Sequence, residues 1–211
     1  MATRSSPGRP PLRVDRIIAA AVVLVDEEGV DALSMRGLAQ ALGSGTATLY
    51  RHFSGRAELV AHVVDAVMGE VPNDEDNFRA LAWQRALELS AGNMFDVLCR
   101  HPNVATLMAE QIPVGPNALA MRERALGTLM AAGFPPHLAV RAWSTLARYV
   151  LGFATQLNSV SQQRPKAWDL LDASDFPASL AVAEHVPVPL REEFDFGLEL
   201  LLIGLEHHAR T

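Results

Sequence analysis

The chain has 211 residues, 49% hydrophobic and 20% charged, a balance that excludes a disordered polypeptide and suffices to bury a core in one large domain or in a small head and a larger body. Its net charge of −6 argues against a uniformly basic nucleic-acid coat, and its single cysteine, Cys99, excludes an internal disulfide, offers no cysteine metal site and fits a reducing cytoplasm. The charge is unevenly spread: residues 1–56 hold seven arginines against five acids, leaving eleven basic residues against nineteen acids for the rest, a mildly basic head on an acidic body.

The start, MATRSSPGRPPLR, has no apolar run behind Met1, so it does not resemble a signal peptide; its Arg/Ser/Gly/Pro composition reads as a disordered arm over residues 1–12. Arginine-bearing arms lie in the minor groove in some DNA-binding proteins, and a passive tail has the same composition. Val14, Ile17, Ile18, Ala21, Val22, Leu24 and Val25 then follow helical spacing up to Gly29, which predicts a first helix over 13–28. Its apolar run from Ile17 to Val25 is nine residues long, far short of the roughly 20 that cross a bilayer. Ser34 suits an N-cap, and Met35, Leu38, Ala39 and Leu42 form one stripe before Gly43, predicting a short second helix. After Gly43-Ser44-Gly45 a third helix is predicted from Thr46 to His52. Leu49 and Phe53 would dock it on the first two helices, leaving Thr46, Thr48, Arg51 and His52 outside that stripe.

Two helices joined by a tight glycine turn, the second with an exposed polar face, make a helix-turn-helix. Small residues at the front of the second helix let its backbone approach base edges, and Tyr50 and His52 offer donors to phosphates behind. The same GSGTAT begins like a dinucleotide-binding loop, but a helix precedes it and Thr48 occupies the place of the third glycine.

The segment RIIAAAVVLVDEEGVDALSMRGLAQALGSGTATLYRHFSGRAELVAHVVDAV, Arg16 to Val67, closely resembles the N-terminal domain of the tetracycline-repressor (TetR) family, most specifically in LAQALG, TLYRHF and ELV. The resemblance implies an all-α protein with a DNA-binding head, a helical body that binds a small effector, and a homodimer. Carried over by position, it implies that Arg36, Thr46, Ala47 and Thr48 face bases and that Tyr50 and His52 meet phosphates. Ser44, counted with this DNA-binding set, replaces a usual apolar residue, and Arg56 stands where a lysine usually clamps a phosphate, keeping the charge with a wider fork.

A fourth helix, from Arg56 to about Gly69, would link head to body, with the head ending near residue 70 and VPNDED marking the boundary. The effector-binding and dimerisation body over 71–211 reads as helices from Asn77 to Arg100, Pro102 to about Gln111, Pro116 to Ala132, His137 to Ser159 and Glu192 to His208, punctuated by proline and glycine. Apolar residues nearly encircle the last helix, which predicts a partner on its second side, the alternative being a helix covered on both sides within a single chain's core. With the stripe of the long helix before it, Leu146, Phe153, Phe194, Leu198, Leu201 and Leu205 become the expected dimer interface, a four-helix bundle built from two copies. Soft and aromatic residues, Met94, Phe95, Leu98, Met108, Met121, Met130, Trp143 and Tyr149, with Gln111 among them, are the expected effector-pocket lining; the same types also build ordinary core.

His101 has no acidic partner at metal-site spacing, so capping is expected of it, and no metal or cofactor is predicted. No nucleophile elbow, P-loop or paired-carboxylate motif supports an enzyme. The predicted protein is a cytoplasmic transcriptional regulator, a repressor that binds a palindromic operator as a dimer and is released by a largely apolar small molecule. The alternatives are a helical ligand-binding or dimerising protein without DNA binding, and an enzyme.

Overall fold

The computed structural model describes residues 12–73, 78, 80–110, 113–158, 171–172 and 174–209. Among the described residues every regular element is helical. Apart from Leu12, the expected N-terminal arm lies outside them, as does Gln111.

Helix α1, Val14–Glu28, buries Ile17, Ala21, Leu24 and Val25, the stripe its spacing predicts. A 3-10 turn, Val30–Ala32, leads into α2, Met35–Ala41, whose N-cap Ser34 accepts the Gly37 N–H at 2.9 Å. Gly43 then takes φ 57°, a left-handed conformation in which a side chain is strained, and so reverses the chain within a few residues. Helix α3 is shorter than expected, Thr46–Leu49. From Tyr50 the chain passes into a turn, with the His52 and Phe53 N–H groups donating to the Leu49 carbonyl, and this drops Phe53 into the core at 1% exposure.

Helix α4, Arg56–Met68, buries seven of its residues, Leu59, Val60, Val63, Val64, Asp65, Val67 and Met68, which a helix covered on one side cannot do. It packs on α1 and also on the body helices α5, Trp83–Arg100, α6, Pro102–Glu110, and α7, Pro116–Ala131. One continuous buried cluster therefore runs from Ile17 in the head to Leu202 near the end of the chain. Helix α8, Pro136–Ala154, lies against α5, α6 and α7, and α10, Leu190–Ala209, lies against α5 and α8. Between them the short α9, Pro177–Ala181, and a 3-10 turn, Ala183–His185, have no counterpart in the sequence expectations, being too short to carry a period.

Within one chain, part of the expected interface is already covered. Phe194, Leu198 and Leu146 are buried within this single chain, at 0%, 3% and 4% exposure, and Phe153, Leu201 and Leu205 are half-buried against the same core. Phe194 stacks on Phe95 at 4.2 Å and meets Phe153 edge-on at 5.6 Å. The Tyr149 hydroxyl donates to the Phe194 carbonyl at 2.7 Å, tying α10 to α8. The residues that face outward from α10 are instead Phe196, Leu200 and Ile203, at 64%, 54% and 57% exposure. A helix with apolar residues on two sides has two faces to bury, and composition alone does not say which one the protomer keeps.

Candidate functional sites

The head presents one polar face on a closed scaffold. Leu38, Ala39 and Leu49 are buried beneath it, while Arg36, Thr46, Ala47 and Tyr50 are exposed and Ser44, Thr48 and His52 are half-exposed. Arg36 comes from α2 and the threonines from α3, so the Gly43 turn brings their helices together, with the Ser44 N–H closing on the Ala39 carbonyl at 2.8 Å. Arg56 differs from a free phosphate clamp. Its Nε donates to the Leu33 carbonyl at 2.8 Å, bracing the start of α4 against the turn that precedes α2. The start of α4 is held a second time by Glu58, whose carboxylate accepts the Ser54 N–H at 2.6 Å and the Ser54 hydroxyl at 2.7 Å; these bonds, the backbone one first, hold its pKa below the usual carboxylate value.

The other end of α4 is locked to the body. Asp65, the one buried charged residue among those described, accepts from the Asn117 and Ala118 N–H groups at 3.0 and 3.1 Å and from Asn117 Nδ2 at 3.1 Å. These are the open donors of the first turn of α7, capped here by a carboxylate from a different helix. The approach is so close that a Cβ on Gly115 would overlap the Asp65 side chain. A second lock joins α1 to the body: His101, at the C-cap of α5, places Nδ1 2.7 Å from Asp26 and Nε2 3.2 Å from Glu70, while Asn103 Nδ2 donates to the Val25 carbonyl at 2.9 Å. His101 therefore acts as a bridge. Among the described residues no group of three or more His, Cys, Asp or Glu is placed to hold a metal ion.

Beside the Asp65 lock lies a cleft of about 470 Å³. It is lined by Met68 of α4, Met94 of α5, Met108 and Ala109 of α6, Ala118, Met121 and Arg122 of α7, and Val140, Trp143, Ser144, Ala147, Arg148 and Leu151 of α8, with Pro113 at the edge. The α8 set repeats at intervals of three and four, one helical face. Of the expected lining, Met94, Met108, Met121 and Trp143 are here. Phe95 and Tyr149 belong to the aromatic cluster under α10, Leu98 is buried in the core, and Met130 is 45% exposed near the end of α7. Met68, Arg122, Ala147 and Arg148 escape the sequence reading, since nothing in their local pattern marks them as wall. A larger groove of about 980 Å³ between α5 and α10 is strongly charged, with Glu88, Asp96, Glu192, Asp195 and Glu199 along it. Mostly apolar walls with a few polar groups suit a small molecule better, which favours the smaller cleft.

Two family descriptions match the chain: "Bacterial regulatory proteins, tetR family" over residues 17–63 and "Tetracyclin repressor-like, C-terminal domain" over residues 77–209. The chain belongs to the TetR family. It is similar to the HTH-type transcriptional repressor DrrR1 of Streptomyces coeruleorubidus, 30% identical over 213 residues, covering 94% of this chain and 78% of that one. It is 27% identical to the class E tetracycline repressor protein of Escherichia coli, over 92% of this chain and 90% of that one. Its fold matches apo ActR of Streptomyces coelicolor with a TM-score of 0.84 and 31% identity, covering 95% of this chain and 98% of that one; ActR has also been solved with actinorhodin. This TetR-family chain is a ligand-responsive transcriptional regulator that binds DNA through its N-terminal domain, and it is not an enzyme. Among the described residues no helix is long and apolar enough to cross a membrane.

Proposed function

We propose that the chain is a homodimeric repressor of a palindromic operator, working in the cytoplasm and released by a small molecule held in the α4–α8 cleft. In this reading Arg36, Thr46, Ala47 and Thr48 face base edges, Ser44 supports the close approach of the turn, and Tyr50 and His52 hold phosphates. Arg56 braces α4 first and meets phosphate only with the donors left over. The observation that carries the reading is the head itself: a polar face from two helices, exposed over a buried Leu38–Leu49–Phe53 core, has no internal use. The outward Phe196, Leu200 and Ile203 of α10 supply the face through which two copies would join, since contiguous exposed apolar side chains mark interaction surfaces. Two heads on a two-fold axis then read half-sites one DNA turn apart, roughly 34–36 Å.

The test is selection of duplexes from a random pool by the purified protein, followed by affinity measurements across salt concentrations. A palindromic consensus bound with a steep salt dependence is expected; recovery of no consensus, or binding as a monomer, overturns the reading.

A further inference from the structure

Two arginines, Arg122 and Arg148, stand among the residues that line the cleft. In the described body, Arg85 pairs with Glu88 at 2.9 Å, Arg100 with Glu70 at 3.2 Å, Arg124 with Asn73, and Arg191 with Asp96 and Asp195. The exposed Arg122, Arg141 and Arg148 have no hydrogen-bond or ion-pair partner among the described residues, although acids outnumber basic residues beyond residue 56 by nineteen to eleven, and of the three only Arg141 lies away from the cleft. Arg122 and Arg148 line the same cleft, one from α7 and one from α8, and no acidic residue is among the lining groups. Four of the chain's seven methionines, Met68, Met94, Met108 and Met121, line it too, beside the half-buried Trp143 ring. Flexible thioethers and an indole fit a flat apolar body of varied outline, and they offer no countercharge to the guanidinium groups. An arginine fork recognises a planar oxyanion through two parallel hydrogen bonds, and both forks are solvent-exposed here, free to meet the charged end of a ligand whose apolar body lies deeper in the cleft.

We propose that the α4–α8 cleft takes an anionic aromatic ligand, its rings among the methionines and Trp143 and its carboxylate, sulfonate or acidic phenolate on Arg122 and Arg148. This rests on the effector-cleft reading above and sharpens it: the ligand is an apolar body with one negative end. It also gives that ligand a route to the head, because Ala118, Met121 and Arg122 sit on the first turns of α7, whose start is capped by Asp65 of α4. An anion drawn to Arg122 pulls on the helix that is locked to the head's own support.

The experiment uses a matched pair of fluorescent probes on the full-length protein: 1-anilinonaphthalene-8-sulfonate (ANS) and N-phenyl-1-naphthylamine, the same ring skeleton without the sulfonate. ANS is expected to bind at least tenfold more tightly, and the double variant Arg122→Gln/Arg148→Gln to remove most of that preference while changing the neutral probe far less. Ala147→Trp, which fills the cleft, is expected to weaken both probes, with helical content by circular dichroism unchanged. Equal affinity for the two probes, or an ANS preference that survives the double arginine variant, overturns the proposal. ANS binding untouched by Ala147→Trp places the probe elsewhere and overturns it as well. An arginine-dependent ANS preference with no change in the affinity for selected operator DNA would support the anionic class and overturn release of operator by a ligand held in this cleft, leaving DNA binding by the head untouched.

Discussion

The head and the body use side chains in opposite directions. In the head the apolar stripes of three helices turn inward, and what is left outside, Arg36, Thr46, Ala47 and Tyr50, is the proposed reading surface. In the body the proposed ligand site is a cleft between helices, and its walls, Met94, Met108, Met121 and Trp143, are the same residue types that fill the core beside them. A site formed by exclusion from a helical stripe is visible in the spacing of a few dozen residues. A site formed by a gap between five helices depends on which core positions fail to close, and that is a property of the packing. Helix α4 belongs to both regions, buried in each, so it is where one kind of site can act on the other.

The sharpest way to separate the two regions is to melt one of them. Phe53→Ala removes a ring at 1% exposure from under the reading face and is expected to cost about 3–5 kcal/mol. DNA binding should vanish while probe binding in the body cleft persists, read by anisotropy and fluorescence on the same sample. If both functions fail together, head and body fold as one unit and their two sites do not separate.

Cutting the link is expected to cost less. Asp65→Ala leaves the first N–H groups of α7 without their carboxylate, at about 2–3 kcal/mol for buried bonds to a charged group. Thermal melting should show that loss, and the effect of a cleft ligand on operator affinity should shrink even where both separate affinities survive. An unchanged response would move the coupling route to the His101 bridge with Asp26 and Glu70, where His101→Ala is the corresponding variant.

Within the reading face, Arg36→Ala should cost ~1–3 kcal/mol at one base pair and relax the consensus at that position. Arg56→Ala should instead lower head stability by about 1 kcal/mol, because it releases the Leu33 carbonyl, and weaken all sequences alike. Loss of specificity from Arg56→Ala would contradict its role as a brace.

The smallest expected effect is on pH dependence. Bonds from Ser54 hold the pKa of Glu58 below its ordinary value, so this contact stabilises the start of α4 at and above the usual carboxylate range, and the stability is lost as pH falls through the lowered folded-state value. Glu58→Gln should therefore melt less differently from the parent in acid than at neutral pH. A parent whose stability is flat through that range would show that the Ser54–Glu58 contact contributes nothing to the hold on α4.

The helix-turn-helix is legible in the sequence, from the stripe Met35, Leu38, Ala39, Leu49 and Phe53, and so is the Ser34 cap, from residue type and place; both are local signals. The Asp65 lock is not legible, because its partners lie 52 and 53 residues further along the chain and an aspartate within a helix has no pattern of its own. The face of α10 escapes a sequence reading for a related reason. Phe194 and Phe196 are equally apolar, and only the aromatic cluster of Phe95, Tyr149 and Phe153 decides which one turns inward.

Coupling of the cleft to the reading face through α4 is the central claim, and linkage makes it measurable without knowing the natural ligand. The dissociation constant of the selected operator duplex is measured with and without saturating ANS, and that of ANS is measured on free protein and on the operator complex. Both constants are predicted to change by the same factor and in the same direction, and Asp65→Ala to reduce the two changes together. ANS that binds free and operator-bound protein equally tightly, while still held in the cleft by Arg122 and Arg148, would contradict the coupling.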